Sequence, residues 1–372
     1  MTLFRWRVLW PRPRIDEAAG ARGDAPSLGQ GEGAPVEPAQ SFLELPIPTR
    51  TVVSGEPHGS SQSYALDMHQ PSAAENAALI ALLNTRPDGA NWQTLTTEVL
   101  NSDSAEAVWQ SYGESALVPD PARAGAVELA YGQLESWKRQ GLTFLSVLDP
   151  MYPSQLRDIH QAPPFLFAAG TLVQDDDAVS VVGSRRATAQ GLKIADSLAR
   201  ALVHEGLTVL AGLAEGIDTA AHTAALDEGG RTVAIIGTGI TRYFPTFNKG
   251  LQDTIADNGL VLSQFWPDSS PTRYNFPIRN AVMSGYGIAS VIVEATENSG
   301  TRAQARMAVE HGRPVILTDR VAAATNWGRK LADRPGVEVA SSTADVLRLL
   351  QKIRRRRDLL PTLLAEMASA AS

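Results

Sequence analysis

Gly183-Ser184-Arg185-Arg186 closes the small, β-branched run from Val179 to Val182, and a helical pattern begins near Gln190. A strand, a tight turn and a helix start, in that order, direct backbone N–H groups and a helix N-terminus at one point. Such a point is a seat for an anion. Guanidiniums beside it suit a phosphate, because their fork of donors matches its oxygens. A plain βα turn with solvated arginines has the same local pattern, so this segment alone leaves both readings open.

Further segments end apolar runs and should face the same side. Gly212-Leu213-Ala214-Glu215-Gly216-Ile217-Asp218 is followed by His222. Asp218 and His222 stand four apart and share a helix face, either as an acid/base pair or as a brace. Gly237-Thr238-Gly239-Ile240-Thr241 mimics a dinucleotide fingerprint, with Arg242 where a third glycine belongs. Asn248 precedes Lys249, which opens the next helix, where a cation is unfavourable unless an anion also sits there. Tyr274-Asn275-Phe276-Pro277-Ile278-Arg279-Asn280 joins an aromatic face to cationic and amide donors. That combination suits single-stranded nucleic acid, in which bases stack and phosphates pair; Phe276 as a core anchor with Arg279 capping a neighbouring strand is the alternative. Glu294 leads through Glu297 to Ser299-Gly300-Thr301, another strand-to-helix turn and candidate phosphate seat, which the repulsion of both carboxylates weakens.

Several chemistries are excluded or disfavoured. The chain of 372 residues has no cysteine, so thiolate metal sites, disulfides and cysteine nucleophiles are absent. The phosphate-loop pattern G-x-x-x-x-G-K-[ST] does not occur. The six histidines lack close metal-like spacing, and neither a metal nor a cofactor is expected. A formal net charge of −7 opposes indiscriminate coating of DNA, but binding follows local potential and a basic groove remains compatible with it. No apolar stretch is long enough to cross a bilayer, and a cytoplasmic location is expected.

The elements that must position these residues are legible in the pattern of apolar runs. Residues 1–72 are rich in Gly, Pro, Ala, Ser and Glu with little periodicity and read as disordered. Helical periodicity over 73–141 predicts a small helical domain. From Phe144 to Gly170 short strands and proline turns bridge to an alternation of apolar runs with amphipathic segments. The strand candidates there are Val179–Val182, Thr208–Ala211, Thr232–Ile236, Leu260–Gln264, Val291–Glu294, Pro314–Leu317 and Val337–Ala340. The alternation predicts an α/β domain over 142–352, a mainly parallel sheet with helices on both faces. Its ligand crevice should lie at the carboxyl ends of the strands. Residues 353–372 form a basic tail that carries Arg354 to Arg357.

Taken in order, the motifs resemble the DNA-processing protein family DprA/Smf. The matching residues are Asp149-Pro150-Met151-Tyr152-Pro153, Pro163-Pro164-Phe165-Leu166-Phe167 with Gly170, Gly183-Ser184-Arg185, Gly212-Leu213-Ala214 with Gly216-Ile217-Asp218 and His222. Tyr243, Pro245, Asn248 and Leu251 follow, then Phe276-Pro277 with Arg279-Asn280, and Glu294 with Ser299-Gly300. The resemblance covers about 142–350. It implies an extended Rossmann-like fold, binding of single-stranded DNA, a homodimer, and loading of a RecA-type recombinase during natural transformation, without a defined catalytic chemistry.

By the same resemblance, Arg185, Asn248, Lys249, Arg279 and Asn280 would contact DNA; the residue types add Gly183, Ser184 and Phe276 to the expected DNA surface. Gly212, Gly216, Asp218, His222, Gly237, Gly239, Glu294, Ser299 and Gly300 are expected to line the pocket. The chain departs from the family pattern at Glu215, Gln264, Ala281, Arg302 and Asp319-Arg320, mostly in the last third. Two other readings stand beside this one. The first is a nucleotide-binding or nucleotide-processing protein using Asp218, His222 and Glu294 as acid/base groups. The second is an adaptor whose pocket is vestigial.

Overall fold

The computed structural model describes residues 71–114 and 121–370. The segment expected to be disordered lies, up to residue 70, outside the described residues. Among the described residues four α-helices come first: α1 (Ala73–Thr85), α2 (Trp92–Ser102), α3 (Ala105–Glu114) and α4 (Ala126–Arg139). Ser72 caps α1 by accepting from the Glu75 N–H, and Asn91 caps α2 by accepting from the Thr94 N–H. The Glu75 side chain in turn accepts from the N–H groups of Ala105 and Glu106, which fixes the start of α3.

The strands are β1 (Thr143–Ser146), β2 (Phe165–Gly170), β3 (Ala178–Gly183), β4 (Thr208–Ala211), β5 (Thr232–Ile235), β6 (Leu260–Ser263), β7 (Ala289–Glu294), β8 (Val315–Thr318) and β9 (Val337–Ala340). They form one nine-stranded sheet in the order β1-β2-β6-β5-β4-β3-β7-β8-β9. The run from β6 to β9 is parallel, while β2 pairs antiparallel with β6 and β1 with β2. The connecting helices are α5 (Ala189–His204), α6 (Ile217–Asp227), α7 (Lys249–Asn258), α8 (Asn275–Tyr286), α9 (Gly300–Glu310), α10 (Asp319–Ala324) and α11 (Asn326–Ala332), and α12 (Thr343–Ala370) closes the chain. The sheet is Rossmann-like and mainly parallel.

Alternation along β3 explains both layers. Val179 and Val181 are fully buried in a cluster with Ile194, Leu198 and Leu202 of α5, Ile217 and Ala221 of α6, and Val346 and Leu350 of α12. Ser180 points to the opposite face, where its hydroxyl donates to the Met283 carbonyl of α8. A hydroxyl inside a buried strand is tolerable because it has that acceptor. The helix α5 begins at Thr188, whose hydroxyl accepts from the Gly191 N–H, and ends before Gly206, which takes a left-handed φ of 70°.

The helical segment and the sheet share an aromatic core. Trp92 and Trp137 pack edge-on and stacked against Phe144, Phe165, Phe167 and Trp266, with ring centroids 4.4–5.6 Å apart across the group. Two helices are thereby fixed to the β1-β2 edge of the sheet. At the amino ends of the strands, Asp176 accepts from Arg231 and Tyr286, both at 3.0 Å. Its neighbour Asp177 holds Arg354 at 3.1 Å and also Arg357. The boundary expected after Lys352 therefore falls inside one continuous helix, and two of the four tail arginines are docked onto the sheet's amino edge.

Candidate nucleic-acid interface

The strand order reverses at β3, which has β4 on one side and β7 on the other. The crevice above that point is the default ligand site of such a sheet. The turns after β3 and β4 interlock there through their glycines. A Cβ on Gly183 would stand 2.4 Å from Ile217 Cγ1, and one on Gly216 would stand 2.4 Å from the Ser184 carbonyl oxygen. Gly216 also takes a φ of 84°, which side chains rarely adopt. The Ile217 N–H donates to the Ser184 carbonyl at 3.3 Å, so each turn positions the other.

Two arginines behave in opposite ways. Arg185 is exposed, and its guanidinium carbon lies 5.0 Å from the Phe276 ring centroid. Arg279, expected to meet DNA directly, is buried under the Gly212 loop. Its Nη1 donates to the Ile235 carbonyl at 2.9 Å, and a Cβ on Gly212 would fall 1.3 Å from that nitrogen. Burial lowers the Arg279 pKa, the Asp218 carboxylate opposes that shift, and Arg185 adds to it as a like charge. Arg185, Asp218 and Arg279 thus form one electrostatic group in which only Arg185 reaches the surface.

The carboxylates and amides serve as braces. Asp218 is buried and accepts from the N–H groups of Gly212 and Ala214 at 3.0 and 3.3 Å. Those bonds hold Leu213 at a φ of 57°, a costly conformation for leucine. Burial raises the Asp218 pKa against the opposing pull of Arg279. His222 bonds through Nδ1 to Thr232 at 2.7 Å instead of to Asp218, and burial drives its pKa down to about 3. Asn248, expected on the DNA surface, is buried and donates to the Leu213 carbonyl and to Thr219. Glu294 accepts from the Thr188 N–H at 3.0 Å and from the Thr188 hydroxyl. The anion seat expected at the start of α5 is therefore occupied by this carboxylate.

The remaining expected residues fall into place around this frame. Gly237 lies against Phe276, which a Cβ would approach to 2.9 Å, and Asn275 donates to the Gly237 carbonyl at 3.0 Å. Gly239 turns so tightly that a Cβ would stand 2.0 Å from the Pro267 carbonyl oxygen. Asn280 is half-buried on α8. Ser299 caps α9 by accepting from the Thr301 N–H, and Gly300 is open to solvent. Lys249 is exposed but engaged: its Nζ lies 2.6 Å from Asp253 and 4.3 Å from the Tyr243 ring centroid. The anion that relieves a lysine at this helix start is Asp253, one turn further on.

Other residues of the rim were not among the sequence candidates. Phe244 is 39% exposed, and its ring centroid is 5.6 Å from that of Phe276. Phe247 and Tyr274 are more exposed still, and Arg273 lies against the Tyr274 ring. Arg185, Phe276 and Phe244 therefore make a continuous cation-aromatic row, and Tyr243, beside Phe244 in the chain, carries Lys249. The density of aromatic and basic residues over 242–247 and 273–276 is the sequence signal that marks it. Among the described residues, no His, Asp and Glu group is placed to hold a metal, and no helix is long and apolar enough to cross a membrane.

Comparison with known proteins agrees with this architecture. A family model described as DNA recombination-mediator protein A matches residues 143–351. The DNA processing protein DprA of Streptococcus pneumoniae is 39% identical over 204 residues, which are 54% of this chain and 72% of that protein. The DprA of Bacillus subtilis is 33% identical over 185 residues, 49% of this chain and 62% of that protein. The X-ray structure of the S. pneumoniae protein superposes with a TM-score of 0.59 at 32% identity, covering 75% of this chain and 98% of that one. Helicobacter pylori DNA processing protein A shares the fold, with a TM-score of 0.51 at 23% identity over 57% of this chain and 96% of that one. A β3 turn built on Gly183-Ser184-Arg185, interlocked with Gly216-Ile217-Asp218 and flanked by Phe276-Pro277, thus sits in a matched sheet: the chain belongs to the DNA recombination-mediator protein A family, the DprA/Smf proteins.

Proposed function

We propose that this chain binds single-stranded DNA across the carboxyl edge of the sheet, with phosphates on Arg185 and bases on the aromatic row. The observation that carries the reading is the exposed Arg185 guanidinium against Phe276. Among the described residues it makes no ion pair, so its charge is available to a ligand. Unstacked bases can lie on Phe276, Phe244 and Tyr274, and such stacking tolerates any sequence. Bases inside a duplex cannot reach those rings. The H. pylori relative is described by its single-stranded DNA binding mode, which supports the reading.

Delivery of the bound strand to a RecA-type recombinase, a homodimeric assembly, a role in transformation and a cytoplasmic location accompany this reading through the family resemblance. So does the absence of a catalytic step: Asp218, His222 and Glu294 are all engaged in bracing hydrogen bonds. Anisotropy titration of a labelled unstructured oligonucleotide, competed with single-stranded and duplex DNA of equal length, tests the proposal. The single strand should compete better. Equal or better competition by the duplex would contradict it.

A further inference from the structure

In a parallel sheet of this kind, the helix after the first strand of the parallel run normally offers its N-terminus to a nucleotide phosphate. Here that place is taken. Glu294 ends β7 and pairs with Gly183 across a register shift at the point where the strand order reverses. Its carboxylate accepts from both the N–H and the hydroxyl of Thr188, the residue that caps α5. A Cβ on Gly191, in the first turn of α5, would stand 2.4 Å from Glu294 Oε2, so a glycine is required there to admit the carboxylate. The neighbouring nest of N–H groups on Gly212 and Ala214 is filled in the same way by Asp218. The cap of α5 and the Gly212-Ala214 nest therefore both hold carboxylates of the protein, the start of α9 is capped by Ser299 alone, and Arg185 and Arg186 face outward.

We infer that Glu294 is a selectivity plug. It turns the nucleotide crevice of the sheet into a site that rejects mononucleotide phosphates and leaves binding to a polyanion spanning the rim. The inference rests on the binding reading above and adds to it the class of ligand that is refused. A phosphate entering the seat would meet a like-charged carboxylate already bonded to both donors of Thr188 and lying against Gly191. A polymer on the outer rim avoids that contact and gains from several cations and rings at once.

The test uses the full chain as wild type, Glu294→Ala and Glu294→Gln, titrated calorimetrically with adenosine monophosphate and with inorganic pyrophosphate. Oligonucleotide affinity is measured in parallel. The wild type should give no saturable binding of either small ligand. The alanine variant should gain roughly tenfold or more, the weight of a charge-assisted hydrogen bond recovered by the ligand. The glutamine variant, which removes the charge and keeps the bulk, should gain a few-fold, and it carries the test alone should the alanine variant not fold. Wild-type binding as tight as that of the variants, or folded variants with no gain, would overturn the inference. Loss of oligonucleotide binding by the wild type would instead overturn the proposed function, so the two failures are distinguishable.

Discussion

The Arg185 guanidinium lies 5.0 Å from the Phe276 ring centroid, and Phe276 in turn lies against Gly237 at the end of β5. Two strand ends and a helix start thus meet in one contact: β3 supplies the cation, β5 the bed of the ring, and α8 the ring itself. Phe276→Leu should weaken binding of an unstructured oligonucleotide by about 1–3 kcal/mol through lost stacking, with little change in salt dependence. Anisotropy titrations at two salt concentrations check both parts.

Lys249 is held by Asp253 at 2.6 Å, and that hydrogen bond raises the lysine pKa and lowers that of the aspartate. The lysine stays charged, but its charge is locally offset. Asp253→Asn should therefore raise oligonucleotide affinity and steepen the slope of log affinity against log salt by up to about 0.7, the value for one additional phosphate contact on a single strand. Lys249→Ala should weaken binding less than Arg185→Ala does. The same titrations, run on all three variants, decide it.

Gly212 and Gly250 should respond oppositely to alanine. At Gly212 the added methyl group coincides with Arg279 Nη1, and moving that guanidinium abandons the Ile235 carbonyl and the Asp218 charge. A loss of about 2 kcal/mol or more is expected from overpacking and the broken buried contacts. At Gly250 nothing lies within 4 Å of the added Cβ, and the helix should gain about 0.4–1 kcal/mol. Urea denaturation of the two variants measures both signs.

Stability should decline on mild acidification. Burial depresses His222 to about 3 and His311 to about 4, from an ordinary value of 6.5. Between those values and 6.5 the unfolded chain takes up protons that the native state refuses. Stability is therefore intact above about pH 6.5 and is lost as pH falls, by at most about 1.4 kcal/mol per pH unit for each histidine. Asp218, whose folded pKa is raised by burial, contributes with the opposite sign near the carboxylate range. His222→Gln should flatten the pH dependence, read from urea midpoints at pH 7 and pH 5.

The layout of the sheet was legible because each strand is a short apolar run closed by glycine or a polar turn. Val179 to Val182, for example, needs both faces covered to be stable, and both are. The turn glycines at 183, 212, 216, 237 and 239 were legible for the same reason. What spacing along the chain did not reveal was which charges meet inside the molecule. Arg279 and Asn248 have the residue types of phosphate ligands, yet tertiary packing carries both below the surface to satisfy backbone carbonyls. Glu294 was recognised as opposing an anion, but its bond to Thr188, 106 residues away, exists only once β3 and β7 are paired. Phe244 and Tyr274 stand in or beside the segments singled out but received no role of their own, because exposure, unlike aromaticity, is a property of the fold.

The central claim is that Arg185, at the tip of the interlocked β3 turn, holds a phosphate of a single-stranded polymer. The most direct measurement is the affinity of the wild type and of Arg185→Ala for an unstructured oligonucleotide across a salt series. Wild-type binding with a negative slope, reduced in the variant by about 0.7 together with the affinity, is the predicted result. An identical slope and affinity in a folded Arg185→Ala protein would contradict it.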